Sequence, residues 1–310
     1  MASSKSTSTV PFLSSLCYHA YTAHFFVRDN IKEVICLGML FGALNAAVAS
    51  DFEMGASRSF REILVSLPQM FLWSWTHLFY FTLHNQCSAA AIAEDKINKP
   101  WRPLPAGRIT PRQAKVLVYC MYPTILAVSY TVGGVGPCLV GAFLTLWYNE
   151  WHGASDPLLK NFLNGLGFAC FFAGPLEIAT KSSVLAGDMK AFMWLLVIAG
   201  AIATAAHAQD FLDIEGDRAS GRKTVPLLIG DANARSALAL GIIGWTALSC
   251  WFWDLGSAGR SWRSCIPACV AGTIVISGFY WDKIREADQR SWKIYPIWLV
   301  GLFLMPLRIF

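Results

Sequence analysis

Three aspartates, Asp210, Asp213 and Asp217, stand at i, i+3 and i+7 in the run QDFLDIEGDRASGRKTVP, Gln209 to Pro226. At helical pitch this spacing puts the three carboxylates on one face, one above the other. Carboxylates that converge in this way repel one another unless a cation sits among them. Hard oxygen ligands of this kind suit Mg2+, which keeps several waters and shares the rest of its shell with phosphate oxygens. Arg218, Arg222 and Lys223 follow at once and could hold the anion. An apolar run, Phe192 to Ala206, leads into the aspartates. Acidic side chains at the end of a membrane helix are costly and are usually there for function. The plain alternative is a charged, solvated helix end.

A second acidic end echoes the first. Glu94 and Asp95 run into Asn98, Lys99, Pro100, Trp101, Arg102 and Pro103. Asp95 is the strongest ligand candidate there, with Glu94 and Asn98 close by. Pro100 and Pro103 end the helix. Lys99 and Arg102 are placed to meet phosphate oxygens. Two such ends facing each other would make one cation-lined mouth above an apolar cavity.

The elements that must position these residues are apolar. The 310-residue chain is 55% hydrophobic and only 15% charged, whereas a soluble domain carries about 25% charged residues. Continuous apolar runs argue for helices rather than the alternating segments of a membrane barrel. Nine spans are expected, at roughly 31–50, 63–93, 114–132, 135–151, 160–180, 188–209, 236–255, 264–280 and 293–309. The fold class is therefore an all-α membrane bundle, with 1–310 as a single domain and 1–29 as an interfacial segment leading into it. That segment lacks the basic region and strong apolar core of a cleaved signal peptide. The nine cysteines include no C-x-x-C pair, lie mostly in apolar runs and read as small buried hydrophobes. The net charge of +5 is modest and gives no sign of a nucleic-acid partner. Loop charge sets the orientation. With the N-terminus and the loops after even-numbered spans on one side, that side holds 18 of the 25 Lys and Arg. The positive-inside rule makes it cytosolic.

The paired segments resemble those of the UbiA-type intramembrane prenyltransferase superfamily. Its second motif, D-x-x-D-x-x-x-D, is met in full by Asp210, Asp213 and Asp217, and the N-K-P-x-R-P-x-P tail of its first by Asn98 to Pro105. The resemblance implies nine transmembrane helices, an isoprenyl diphosphate substrate and Mg2+ as cofactor. The metal ligands would be Asp210, Asp213 and Asp217 with Asp95 and Glu94. Asn85, Glu94, Asn98, Lys99, Arg102, Asn164, Arg218, Arg222 and Lys223 would surround the diphosphate. No protein partner is implied. The first motif departs from the family form N-D-x-x-D-x-x-x-D. If Asp95 is its last aspartate, the earlier positions hold Cys87, Ser88 and Ala91. Asn85 lies ten residues before Asp95, not eight, so on a regular helix it points elsewhere unless a π-bulge intervenes. This depletion, with the Q-D-F-x-D-x-E-G-D form of the second motif, is more similar to the fungal membrane terpene cyclases of the superfamily. These ionise an isoprenyl diphosphate of C15 or C20 and let the cation attack its own double bonds. The expected membrane is the endoplasmic reticulum.

Other polar residues divide between roles. Asn164 matches the family's diphosphate-touching position, but helix packing would use it equally. His207 reads as a packing residue. His77 and His84, seven apart on one face, could line the cavity or cap the interface. Aromatic side chains crowd the second span (Phe71, Trp73, Trp75, Phe79, Tyr80, Phe81), where ring faces stabilise a carbocation or simply fill the bundle. An aromatic prenyltransferase and an ion-binding transporter are the rivals, and no clear acceptor-orienting base or inverted repeat with broken helices supports either. The charge asymmetry yields a direct test. In a background without reactive native cysteines, a cysteine placed at Gly107 or Ala219 is expected to react with an impermeant thiol reagent only from the cytosolic face. Labelling from the lumenal face would reverse the orientation.

Overall fold

The computed structural model describes residues 9–212, 214–219, 223–256, 261–281 and 284–307. Among them every regular element is helical. The helices are α1 (Thr9–Val27), α2 (Leu37–Ala46), α3 (Phe60–Gln86), α4 (Ala89–Asn98), α5 (Pro111–Val132), α6 (Val135–Asn149), α7 (Pro157–Thr180), α8 (Lys190–Ala205), α9 (Ile214–Ala219), α10 (Val225–Ile229), α11 (Asp231–Phe252), α12 (Ile266–Tyr280) and α13 (Arg285–Leu304). A π-helical turn, Ile31–Cys36, leads into α2.

Local chemistry fixes the helix starts. Ser59 and Glu62 form a capping box on α3, as Thr110 and Gln113 do on α5. The Asp156 carboxylate accepts the Leu158 and Leu159 amides at the start of α7, and Pro111 and Pro157 sit where a missing amide hydrogen costs nothing.

Helix α7 is the hub. It packs against α2, α3, α6 and α8, while α8, α11, α12 and α13 follow in sequence and α13 returns to α2. Small residues permit these approaches. A Cβ on Gly42 would lie 2.8 Å from Pro175 of α7, and one on Gly165 would collide with the Ala199 carbonyl of α8. At the centre Phe41, Phe172 and Phe303, from α2, α7 and α13, pack ring on ring at 5.0–5.3 Å.

Five helical runs among the described residues are long and apolar enough to cross a membrane alone: Pro111–Val132, Pro157–Thr180, Lys190–Leu212, Asp231–Phe252 and Trp262–Tyr280. The remaining expected spans are helical too. However, α6 and the run into α2 are short, and α3 and α13 carry charged first turns. The structure differs from the sequence reading at two joints. The span expected over 63–93 is two helices, because α3 stops at Gln86 and the Ser88 hydroxyl accepts the Ala91 amide at 3.0 Å to start α4. The span expected over 188–209 tightens to a 3-10 helix at Ala206–Leu212. The residues expected as an interfacial segment contain α1, which packs against α3, with Phe26 edge-on to Phe79 at 5.7 Å.

The hub is testable. Gly165→Ala is expected to cost about 1–3 kcal/mol through overpacking, read as a lower melting temperature in detergent. Gly136→Ala, with open space around its Cβ position, is the control and should be neutral.

Candidate functional site

Successive long helices run antiparallel, so the ends of α3, α6, α8 and α12 and the starts of α5, α7, α11 and α13 meet at one end of the bundle. Direct contacts bind that end together. His84, in the last turn of α3, lies 3.5 Å from Glu150 beyond α6 and 3.0 Å from the Tyr122 hydroxyl of α5. Lys160, in the first turn of α7, lies 3.5 Å from Asp210. Both expected acidic segments are therefore at this end.

On the first side, Asp95 is buried and both of its oxygens accept from Nη1 of Arg102 at 2.9 Å. The Arg102 Nε donates to Asp29 at 3.3 Å, and the Trp101 indole N–H donates to the other Asp29 oxygen at 3.3 Å. Lys99 follows α4 and is half-buried. Burial lowers its pKa and Arg102 lowers it further, against the opposing pull of Asp29, Asp95 and Glu94. Glu94 and Asn98 lie on the exposed side of α4. Asn85 is half-buried in the last turn of α3. No π-bulge joins it to Asp95, since the chain breaks and restarts at Ser88.

On the second side, Asp210 and Asp217 are buried, at 8% and 7% exposure. They sit on successive helical pieces, the 3-10 run and α9, not on one continuous α-helix. Asp213 and Arg222 lie outside the described residues. Arg218 and Lys223 are exposed. Asn164 of α7 is half-buried, one turn beyond Lys160 and Asn161. Among the described residues no three His, Cys, Asp or Glu side chains form a metal-holding group. The two sides differ in how well they fit a hard cation. Asp210 meets Lys160 only at 3.5 Å, a contact long enough to leave the carboxylate available. Asp95 has both oxygens at hydrogen-bonding distance from one nitrogen of a cation that is already part of the protein.

The structure assigns the histidines to packing. His207 bonds the Ala234 carbonyl at 2.9 Å. His77 stacks on Trp73 at 3.8 Å and shares Ser129 with the indole N–H. The sequence reading noticed Lys160 at the start of the fifth span but favoured Asn164, and it missed Asp29 and a buried network behind the second segment. In that network Arg235, 4% exposed, donates to both oxygens of Asp288 at 2.7 and 2.9 Å and to Asp231 at 3.0 Å. Its guanidinium also lies 4.3 Å over the Phe211 ring, next to Asp210. The only sequence signal was an arginine at the start of one apolar run and an aspartate before another.

Residues 84–304 match the model of the UbiA prenyltransferase family. The chain is 34% identical over 238 residues to the fumagillin beta-trans-bergamotene synthase of Aspergillus fumigatus, covering 76% of this chain and 79% of that protein. It is 31% identical to a diterpene cyclase of Hericium erinaceus, over 68% of this chain and 66% of that protein. Its fold matches a UbiA homolog from Archaeoglobus fulgidus bound to GPP and Mg2+, with a TM-score of 0.58 and 16% identity over 91% of this chain and 98% of the other.

The Arg235 network gives a stability prediction. Asp288→Ala strands a buried guanidinium and is expected to cost about 3–5 kcal/mol. Asp231→Ala, which removes a carboxylate 41% exposed, should cost less than about 1 kcal/mol. Both are read as melting temperature in detergent, and equal losses would contradict the assignment.

Proposed function

The chain belongs to the UbiA prenyltransferase family, and from that membership we propose that it is an Mg2+-dependent intramembrane terpene cyclase acting on a C15 or C20 isoprenyl diphosphate. The observation that carries the reading is the 34% identity to a terpene synthase across three-quarters of the chain. The depleted first segment and the Mg2+ held by the Archaeoglobus homolog support it.

The reaction begins with heterolysis of the bond between C1 of the isoprenyl group and the diphosphate oxygen. The electron pair leaves with pyrophosphate. Asp210, Asp213 and Asp217 would hold Mg2+, which would supply Lewis-acid polarisation and neutralise the leaving group. Lys160, Lys99, Arg102, Arg218, Arg222 and Lys223 add the cationic surround, with Asn85, Glu94, Asn98 and Asn164 at its edge. The isoprenyl tail lies in the apolar bundle away from water, so the allyl cation meets its own double bonds before an outside nucleophile. Aromatic ring faces stabilise the positive charge as it moves. A final proton loss, or capture of one water, ends the sequence. The cyclase works in an endoplasmic reticulum membrane with this end toward the cytosol.

Purified protein in detergent, given C10, C15 and C20 diphosphates with Mg2+ and no acceptor, is expected to release pyrophosphate and form a terpene with more rings than its substrate. Asp213→Ala and EDTA should each abolish release while the protein stays monodisperse. Product formed only when an aromatic acceptor is added would identify a prenyltransferase instead. Full activity in EDTA would sink the metal assignment.

A further inference from the structure

The two acidic segments are not equivalent. At the first, Cys87, Ser88 and Ala91 supply no carboxylate, and the Ser88 hydroxyl is already engaged in capping α4. The remaining aspartate, Asp95, has both oxygens on one nitrogen of Arg102 at 2.9 Å. Asp29, from the turn after α1, takes the Nε of the same guanidinium at 3.3 Å and is steadied by the Trp101 indole. Asp95 and Arg102 are 6% and 8% exposed. A metal ion that claimed Asp95 would have to displace a cation already in place. It would leave the guanidinium buried beside Asp29 alone, which is a costly exchange.

An arginine has five N–H groups. Nη1 meets both oxygens of Asp95 and Nε donates to Asp29. Among the described residues the two on Nη2 make no hydrogen bond. Carboxylates on two edges fix the plane of the fork and leave its third edge for an anion, the planar recognition for which arginine differs from lysine.

We propose that the first acidic segment is a metal-free clamp, in which Asp95 and Asp29 are positioning residues that aim Arg102 at the diphosphate, and that divalent metal binds only on the Asp210–Asp217 side. The diphosphate in this statement rests on the function proposed above. The arrangement of Asp29, Asp95 and Arg102 does not.

The test uses the full chain in detergent, with inorganic pyrophosphate and Mn2+ as probes. Mn2+ equivalents are counted by electron paramagnetic resonance with pyrophosphate present. Pyrophosphate affinity is measured separately without divalent metal. Asp95→Asn is expected to leave the Mn2+ count unchanged and to weaken pyrophosphate about tenfold, because the arginine loses its charged partner. Asp29→Asn should act in the same direction and covers the case in which Asp95→Asn fails to fold. Loss of a Mn2+ equivalent in Asp95→Asn overturns the proposal. So does unchanged pyrophosphate affinity in either folded variant. A wild-type protein that binds no Mn2+, but whose pyrophosphate affinity still falls in these variants, supports the clamp and refutes the metal assignment at the second segment.

Discussion

Everything in this bundle depends on how closely α7 can approach its neighbours. Lipid tails are as apolar as the helices they surround, so association in a membrane relies on van der Waals packing rather than on escape from water. Contact without side chains in the way is then the binding force. Gly42 meets Pro175 across α2 and α7, and Gly165 meets Ala199 across α7 and α8. These contacts bring Phe41, Phe172 and Phe303 into one cluster, which lets α13 return to α2 and close the assembly. Closure in turn brings the starts of α7, α11 and α13 beside the ends of α3, α8 and α12.

At that end the protein faces a second constraint, which is charge in a poorly solvated place. The structure pairs each buried carboxylate discussed above for which a partner is described with a cation from another element or from further along the chain. Asp95 has Arg102, Asp210 has Lys160 and Asp288 has Arg235. The pairs differ in tightness. Arg235 and Asp288 form two short bonds at the junction of three helices and are structural. Lys160 and Asp210 are looser, at 3.5 Å. The gradation follows from the chemistry of guanidinium and ammonium, since one is a rigid fork and the other a point charge on a flexible stem.

Much of this was legible in the sequence. Long apolar runs announced the helices, and the three aspartates and the N-K-P-x-R-P-x-P tail announced the family. What escaped was set by pairing at a distance. Asp29 lies 73 residues before Arg102 and Arg235 lies 53 before Asp288, and nothing local links the members of either pair. Even the joint at Cys87 was hard to read. Ser88 is an ordinary N-cap, but it follows an apolar aromatic run without a proline or glycine to signal a stop. The tightening at Ala206–Leu212 has no sequence signature either, because the segment holds no glycine or proline to interrupt an α-helix.

The joint between α3 and α4 has an evolutionary consequence. In a continuous helix, each residue's direction is locked to every other by the pitch, so a ligand at one position dictates which positions before it can also serve. A helix that restarts from its own cap forgets the phase of the one before it. Residues of α3 up to Gln86, Asn85 among them, are thereby released from the phase that sets Asp95, and insertions or deletions at Cys87 change the reach of α3 without rotating α4. Such a joint lets the sequence before it drift while the sequence after it keeps its spacing.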